Sequence, residues 1–248
     1  MAGGVKPTIR PERLLANLGY GSRKEAARLI RSGAVCLGGQ PLTDPAKPIP
    51  RPAPGEMMVN GEPLDPLPPL TLILHKPAGY VCSHRDPEGG PDIFDLLPPR
   101  FRLRDPRISM AGRLDKESTG MVVLTDDGQL LHRVTSPRRH LPKLYLVEVD
   151  RPLRGDEVEI FASGTLVLRG EEDKPLKPAE LRPTGERSAT VELREGRYHQ
   201  VRRMFAALGN HVTKLHRQSI GALDLGSLEE GQWRLLEDAE RALLDTES

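Results

Sequence analysis

Gly112-Arg113-Leu114-Asp115 sets one arginine and one carboxylate in a glycine-bracketed loop. Lys116-Glu117-Ser118-Thr119-Gly120 carries that loop into Met121-Val122-Val123-Leu124-Thr125, which the turn signal Asp126-Asp127-Gly128 closes. Five consecutive apolar or β-branched residues predict a strand buried on both faces. A loop pinned to such a strand is a common place to hold functional groups. Asp115 equally fits a plain turn cap, and the four residues alone do not separate the two readings. A second concentration of donors is Gly196-Arg197-Tyr198-His199-Gln200-Val201-Arg202-Arg203-Met204. Arg197, Arg202 and Arg203 can pair with phosphates or a carboxylate, and His199 and Gln200 can hydrogen-bond a base or ribose. The competing reading is a solvated basic helix, the better one for Arg203 by itself. Tyr145 shares one face of a strand with Lys143 and Val147, where a tyrosine is more often a core ring with a satisfied hydroxyl.

Other chemistries find no support. His211 and His216 have zinc-finger histidine spacing but no complementary cysteine or carboxylate pair. Gly19-Tyr20-Gly21 lacks the third glycine and preceding strand of a dinucleotide fingerprint. There is no Walker-type loop and no Ser/His/Asp pattern. Cys36 and Cys82 are far apart and in no CxxC, so neither a disulfide framework nor a thiolate metal site is expected.

The elements that position these groups can be read from periodicity and punctuation. Pro11 to Leu18 predicts a short helix stopped by Gly19. Ser22 and Glu25 form a capping box for a second helix that Gly33 ends. In it Ala26, Leu29 and Ile30 make an apolar stripe, with Lys24, Arg28 and Arg31 on an adjacent face suited to a phosphate backbone. Val35 and Leu37 alternate before Gly38-Gly39, a hairpin turn. Five prolines fall between Pro45 and Gly55, followed by Pro63, Pro66, Pro68 and Pro69. Because proline cannot donate to a sheet ladder, these stretches are expected to be loops or stiff linkers, with a domain boundary near residue 66. Strands are expected over 70–75, 121–125, 143–149 and 212–216, and helices over 129–135, 156–163 and 198–208. Strands outnumber the crossovers of a doubly wound sheet, so the fold class is α+β on a mixed, largely antiparallel sheet.

The 248 residues are 37% hydrophobic and only 4% aromatic, enough for one large or two small domains with an aliphatic core. No apolar run reaches a membrane span and the N-terminus has no signal-peptide core, so a cytoplasmic protein is expected. The net charge of +1 conceals segregation. Residues 1–54 hold nine Lys/Arg against three acids, residues 194–218 six against one, and residues 224–248 eight acids against two arginines. Basic patches on a near-neutral chain fit a polyanion bound at defined places.

Taken together, these motifs resemble the bacterial pseudouridine synthases of the small-subunit rRNA type, the RsuA branch, over essentially the full length. Residues from about 7 to 61 resemble the S4 RNA-binding domain of those enzymes. Gly112 through Thr125 resembles their catalytic loop, Lys143-Leu144-Tyr145-Leu146-Val147 the strand with the active-site tyrosine, and His199 to Met204 the segment whose basic residue pairs with the catalytic carboxylate. Glu195-Gly196-Arg197-Tyr198-His199-Gln200 and the stretch from Asp127 to Pro137 are similar to the small-subunit rather than the large-subunit enzymes. The resemblance implies an S4 domain over 1–66 and a synthase domain over 67–248. It implies that Asp115 is the nucleophile, that Arg202 keeps it ionised, and that Tyr145 stacks on the uracil or moves a proton. Arg113 would fill the gap left by a flipped uridine, and Arg197, His199 and Gln200 would bind substrate. Arg10, Arg13, Arg23, Lys24, Arg28 and Arg31 would grip RNA. It further implies no cofactor, no metal and no membrane. The enzyme would be a monomer acting on 16S rRNA or an assembling small-subunit particle, at uridine 516. The alternatives are a non-catalytic S4-type assembly factor, in which Asp115 only caps a turn, and a synthase of the same family acting on 23S rRNA.

Overall fold

The computed structural model describes residues 7–84, 89–136, 141–168 and 174–244. Lys6, Pro137 and the last acids of the C-terminal stretch, Asp245 and Glu247, lie outside them. The chain divides into two compact units, Met1–Leu70 with Leu97–Ile108, and Thr71–Leu96 with Ser109–Ser248.

In the first unit the order is β1 (Thr8–Ile9), α1 (Pro11–Asn17), α2 (Arg23–Arg31), β2 (Val35–Leu37), β3 (Gln40–Pro41), β4 (Ile49–Pro50), β5 (Met57–Val59) and β6 (Glu62–Pro63). Proline opens α1, where its missing N–H would have had no partner. The expected capping box starts α2: Glu25 N donates to Ser22 Oγ, and Ser22 N donates to Glu25 Oε2 at 2.7 Å. Ser22→Ala should therefore lower stability by about 1 kcal/mol, read as a shift in a denaturant midpoint at unchanged slope. Leu14, Leu15, Leu18, Ala26 and Ile30 turn inward and close over Val35, Met57 and Val59. Full burial of one such leucine or isoleucine contributes on the order of 2 kcal/mol. Gly38 and Gly39, both with positive φ, make the two-residue hairpin between β2 and β3.

The proline-rich stretches are not wholly loop, which corrects the linker expectation. β4 pairs antiparallel with β1, Thr8 facing Pro50 and Ile9 facing Ile49, and β6 is an outer strand against β5. Proline is tolerated there because an edge position leaves its missing N–H pointing away from the ladder. Residues 97–108 belong to this unit and contain a 3-10 turn, Pro99–Leu103. Arg100 makes a two-pronged ion pair with Asp65, and Asp105 N donates to Asn17 O at 2.7 Å.

The second unit contains β7 (Thr71–Lys76), β8 (Ser109–Met110), β9 (Thr119–Thr125), α3 (Gly128–Thr135), β10 (Lys143–Val149), α4 (Glu157–Ala162), β11 (Glu180–Gly185), β12 (Ser188–Leu193), α5 (Gln200–Ala207), β13 (Val212–Ile220), β14 (Leu223–Asp224), β15 (Trp233–Leu235) and α6 (Asp238–Leu243). The sheet runs β11-β12-β10-β13-β9-β7-β15, with β14 on β13 and β8 on β9. Every pairing is antiparallel except β13 with β9. The fold is thus α+β on a mixed, largely antiparallel sheet, as its element pattern predicts. Residues 121–125 of β9 are buried throughout, and the core joins Met121 and Val123 to Ile73, Leu130, Val134 and Ile220. Two elements differ from expectation. The helix anticipated from Tyr198 begins at Gln200, because His199 takes a left-handed φ of 50°. The strand anticipated to end at His216 continues to Ile220, since β10 keeps pairing with it as far as Lys143 opposite Ile220.

Candidate active site

A cleft of about 260 Å³ lies wholly within the second unit and gathers residues from five separate segments. Asp115 comes from the loop between β8 and β9, Tyr145 from β10, and Glu195 and Arg197 from the turn after β12. His199 stands at the head of α5, and Leu215 and Arg217 are on β13. Sequence separations of up to about a hundred residues collapse because β9, β13 and β10 are immediate neighbours in the sheet.

The loop that presents Asp115 is held from beneath. Lys76, fully buried at the end of β7, donates from Nζ to the carbonyls of Pro77 (2.9 Å), Lys116 (2.9 Å) and Ser118 (2.6 Å). Burial pulls its pKa below the ordinary lysine value. Leu114 N donates to Cys82 Sγ at 3.3 Å, and burial pushes that thiol up, which marks Cys82 as packing rather than reactive. Ser118 N closes a turn onto the Asp115 carbonyl at 3.0 Å.

The Asp115 carboxylate is partly exposed and meets two groups from the α5 region. His199 Nε2 is 3.3 Å from Oδ1, and Arg202 Nε is 4.0 Å from Oδ2. Arg202 is itself fixed by donating to Val212 O at 3.0 Å and to Ser118 Oγ at 3.4 Å. The left-handed backbone at His199 brings its ring to the carboxylate rather than onto the helix face, and Tyr198, 68% exposed, stacks on that ring at 3.9 Å. Tyr145 is buried within the wall, paired across the sheet with Val191 and Arg217. The arrangement offers an accessible carboxylate between a guanidinium and an imidazole, with a phenol in the same recess.

The remaining sequence-chosen residues separate into two kinds. Arg113 is exposed on the cleft rim beside Asp115. Arg197 and Gln200 also line the cleft but direct their polar atoms at the protein. Arg197 donates to Lys174 O and Pro175 O (2.9 and 2.6 Å), while Gln200, 4% exposed, donates to Glu195 Oε1 and accepts from Arg197 N. In the first unit Arg10, Arg13, Arg23, Lys24, Arg28 and Arg31 are all exposed. Arg10, Arg13 and Arg23 surround one concavity with Asn17.

Sequence reasoning missed three residues that shape the cleft. Lys76 follows an apolar run with no periodic signal of its own. Ser118 is one small polar residue in the run that leads into β9. Arg217, 2% exposed, donates from Nε to Met121 O at 2.8 Å and from Nη1 to Arg113 O at 3.2 Å, tying β13 to both ends of the Asp115 loop. Arg217 lies one residue past the strand expected over 212–216, so its inward position on β13, two residues from buried Leu215, shows only in the structure.

Comparison with known proteins places this geometry. The family model described as RNA pseudouridylate synthase matches residues 71–207, just over half of the chain, and the model described as S4 domain matches residues 12–51. The chain is 41% identical over 224 residues to the Ribosomal small subunit pseudouridine synthase A of Escherichia coli strain K12, covering 89% of this chain and 93% of that one. It is 37% identical over 240 residues to the Uncharacterized RNA pseudouridine synthase YtzG of Bacillus subtilis strain 168, covering 96% and 98%. A solved structure described as that of a pseudouridylate synthase aligns with a TM-score of 0.65 at 38% identity, over 95% of this chain and 99% of that chain. With a carboxylate, guanidinium and phenol sharing one recess, and likeness to these enzymes over nearly its whole length, the chain belongs to the RNA pseudouridine synthases and carries an S4 RNA-binding domain ahead of the catalytic one.

Proposed function

We propose that this enzyme converts one uridine of 16S rRNA, uridine 516, to pseudouridine, with Asp115 as nucleophile. The observation that carries the reading is the Asp115 carboxylate, accessible yet flanked at 3.3 Å by His199 and at 4.0 Å by Arg202. The small-subunit names of the relatives at 41% identity support the 16S target. A carboxylate oxygen reachable from solvent and held between these two side chains is the kind of group that can attack C1′.

The chemistry is an isomerisation. The C1′–N1 bond breaks, both electrons leaving with the uracil, while Asp115 either bonds to C1′ or assists loss of a C2′ proton to give a glycal. The uracil turns and C5 bonds to C1′; the carboxylate is released from C1′, or on the glycal route C2′ takes back its proton, and the C5 proton is lost while N1 regains one. Tyr145 stacks on the base or moves a proton at C5 or C2′. Arg113 fills the space left in the RNA by the flipped nucleotide. Flipping costs a few kcal/mol, offset by phosphate contacts from Arg10, Arg13, Arg23, Lys24, Arg28 and Arg31. Arg197 and Gln200 serve substrate indirectly, by fixing the turn that presents His199. The enzyme acts in the cytoplasm as a monomer, on rRNA or on an assembling small-subunit particle, and needs no cofactor.

Carbodiimide-dependent reverse-transcription stops, mapped over 16S and 23S rRNA from cells with and without the gene, test the target. One 16S stop should vanish without the gene. Loss of a 23S stop instead would overturn the small-subunit assignment.

A further inference from the structure

The mechanism above uses one side of the cleft and leaves the other unexplained. Asp115 has His199 and Arg202 about it, and the second carboxylate in the lining, Glu195, is occupied by Arg197, Gln200 Nε2 and Lys177 N. Lys143 and Arg217, on the adjacent strands β10 and β13, also line the cleft. Neither makes an ion pair among the described residues. Among the described residues Lys143 Nζ makes one hydrogen bond, to Leu141 O at 3.1 Å, which leaves two N–H groups. Arg217 Nη2 is buried and has no hydrogen-bond partner among the described residues. A buried guanidinium and a partly buried ammonium side by side, with donors unspent and no carboxylate facing them among the described residues, are costly unless an anion arrives.

The reaction makes an anion in this recess. On either route of Asp115, the electrons of the C1′–N1 bond leave with the base, so the detached uracil carries a negative charge spread over N1, O2 and O4 until C5 bonds to C1′. The sugar carbon must face Asp115, which turns the base away from the carboxylate. Resting on the proposed role of Asp115, we infer that Lys143 and Arg217 form a cationic wall that binds the detached uracil as its anion, by hydrogen bonds to its carbonyl oxygens, and so lowers the barrier to glycosidic cleavage. Donors placed where charge develops act on the transition state more than on the ground state. A phosphate of the same RNA is the other anion these groups could meet. That contact would act on binding, not on the rate of the bound complex.

Around Lys143 the ionisable groups are Arg217 on β13, Tyr145 on its own strand, and Arg194 and Glu195 after β12. Across the cleft stand Arg113, Asp115, Arg197 and His199, with Arg202 behind the Asp115 carboxylate. Burial first, and the charge of Arg217 second, lower the Lys143 pKa to about 8. A cationic role therefore fails as pH rises through about 8, whereas a role as neutral base would appear over the same range.

The test uses the full chain with rRNA and pre-ribosomal particles, tritiated at uridine C5, from cells lacking the enzyme. Single-turnover tritium release gives the rate, and filter binding to the same RNA gives Kd. Lys143→Met should slow the bound complex about 100-fold with Kd within about threefold, the scale of losing one donor to a developing charge. Its melting temperature should not fall, because the substitution removes a partly buried cation that no carboxylate faces among the described residues. Lys143→Arg should recover a large part of the rate and carry the alkaline loss of activity above pH 8. The inference is overturned if Lys143→Met turns over like wild type, if it weakens Kd while sparing the rate, or if Lys143→Arg loses activity through pH 8 as wild type does. Failure of the nucleophile reading looks different: Asp115→Ala would retain turnover in the same assay.

Discussion

Asp115→Ala should lower pseudouridine formation by at least about 10⁴-fold while RNA affinity stays within about threefold of wild type. The two readouts separate because the carboxylate is not part of the framework. Its neighbour Arg202 keeps Val212 O and Ser118 Oγ when the carboxylate is gone, and the loop stays clamped by Lys76 through three carbonyls. RNA affinity should rest mainly on the exposed arginines of the first unit and the rim, none of which touches Asp115 in the structure. Asp115→Asn sharpens the test, since it keeps the shape and removes the charge. It should be as inactive as alanine if the ionised oxygen attacks. Tritium release and filter binding measure both quantities, and an alanine variant that still turns over would return Asp115 to the status of a turn cap.

Gly120→Ala should destabilise the catalytic unit by about 3 kcal/mol or more, a fall of about 6–12 °C in melting temperature for a domain of this size. Gly120 sits at φ 110°, a conformation open to glycine and strained for alanine. A Cβ there would lie 2.3 Å from Arg217 O and 2.6 Å from Arg217 N, both backbone atoms of a strand that cannot swing aside. The contact is the parallel pairing of β9 with β13, Thr119 opposite His216 and Gly120 opposite Arg217. Prising these strands apart would also pull Arg217 from the Met121 and Arg113 carbonyls, so activity should fall along with stability. Differential scanning calorimetry reads the first effect. A variant melting within about 2 °C of wild type would show that the close approach is not obligatory.

Much of this arrangement could be read from the chain. The β9 run, the capping box at Ser22, the glycine hairpin after β2 and the strand carrying Tyr145 each announce themselves through local pattern, since turns, caps and buried strands impose their demands on neighbouring residues. Asp115, Tyr145, His199 and Arg202 were legible as motif residues. Less visible were β11 and β12, although Ala189, Val191 and Leu193 alternate with polar neighbours and meet the ordinary strand criterion. The prolines of residues 45–63 concealed β4 and β6, because an outer strand relaxes the rule that excludes proline from sheets.

By itself the sequence determined the α+β class, the aliphatic core, the basic N-terminal surface and the identity of the groups able to do chemistry. Those follow from composition and short-range spacing. Only the tertiary structure decided which groups meet. That His199 lies nearer the carboxylate than Arg202, that Gln200 faces inward, that Lys76 anchors the loop, and that Lys143 and Arg217 pair with no carboxylate among the described residues all depend on strand order. Strand order arises from pairings between residues as much as about 160 positions apart, such as Leu235 with Leu72, and no local periodicity encodes them.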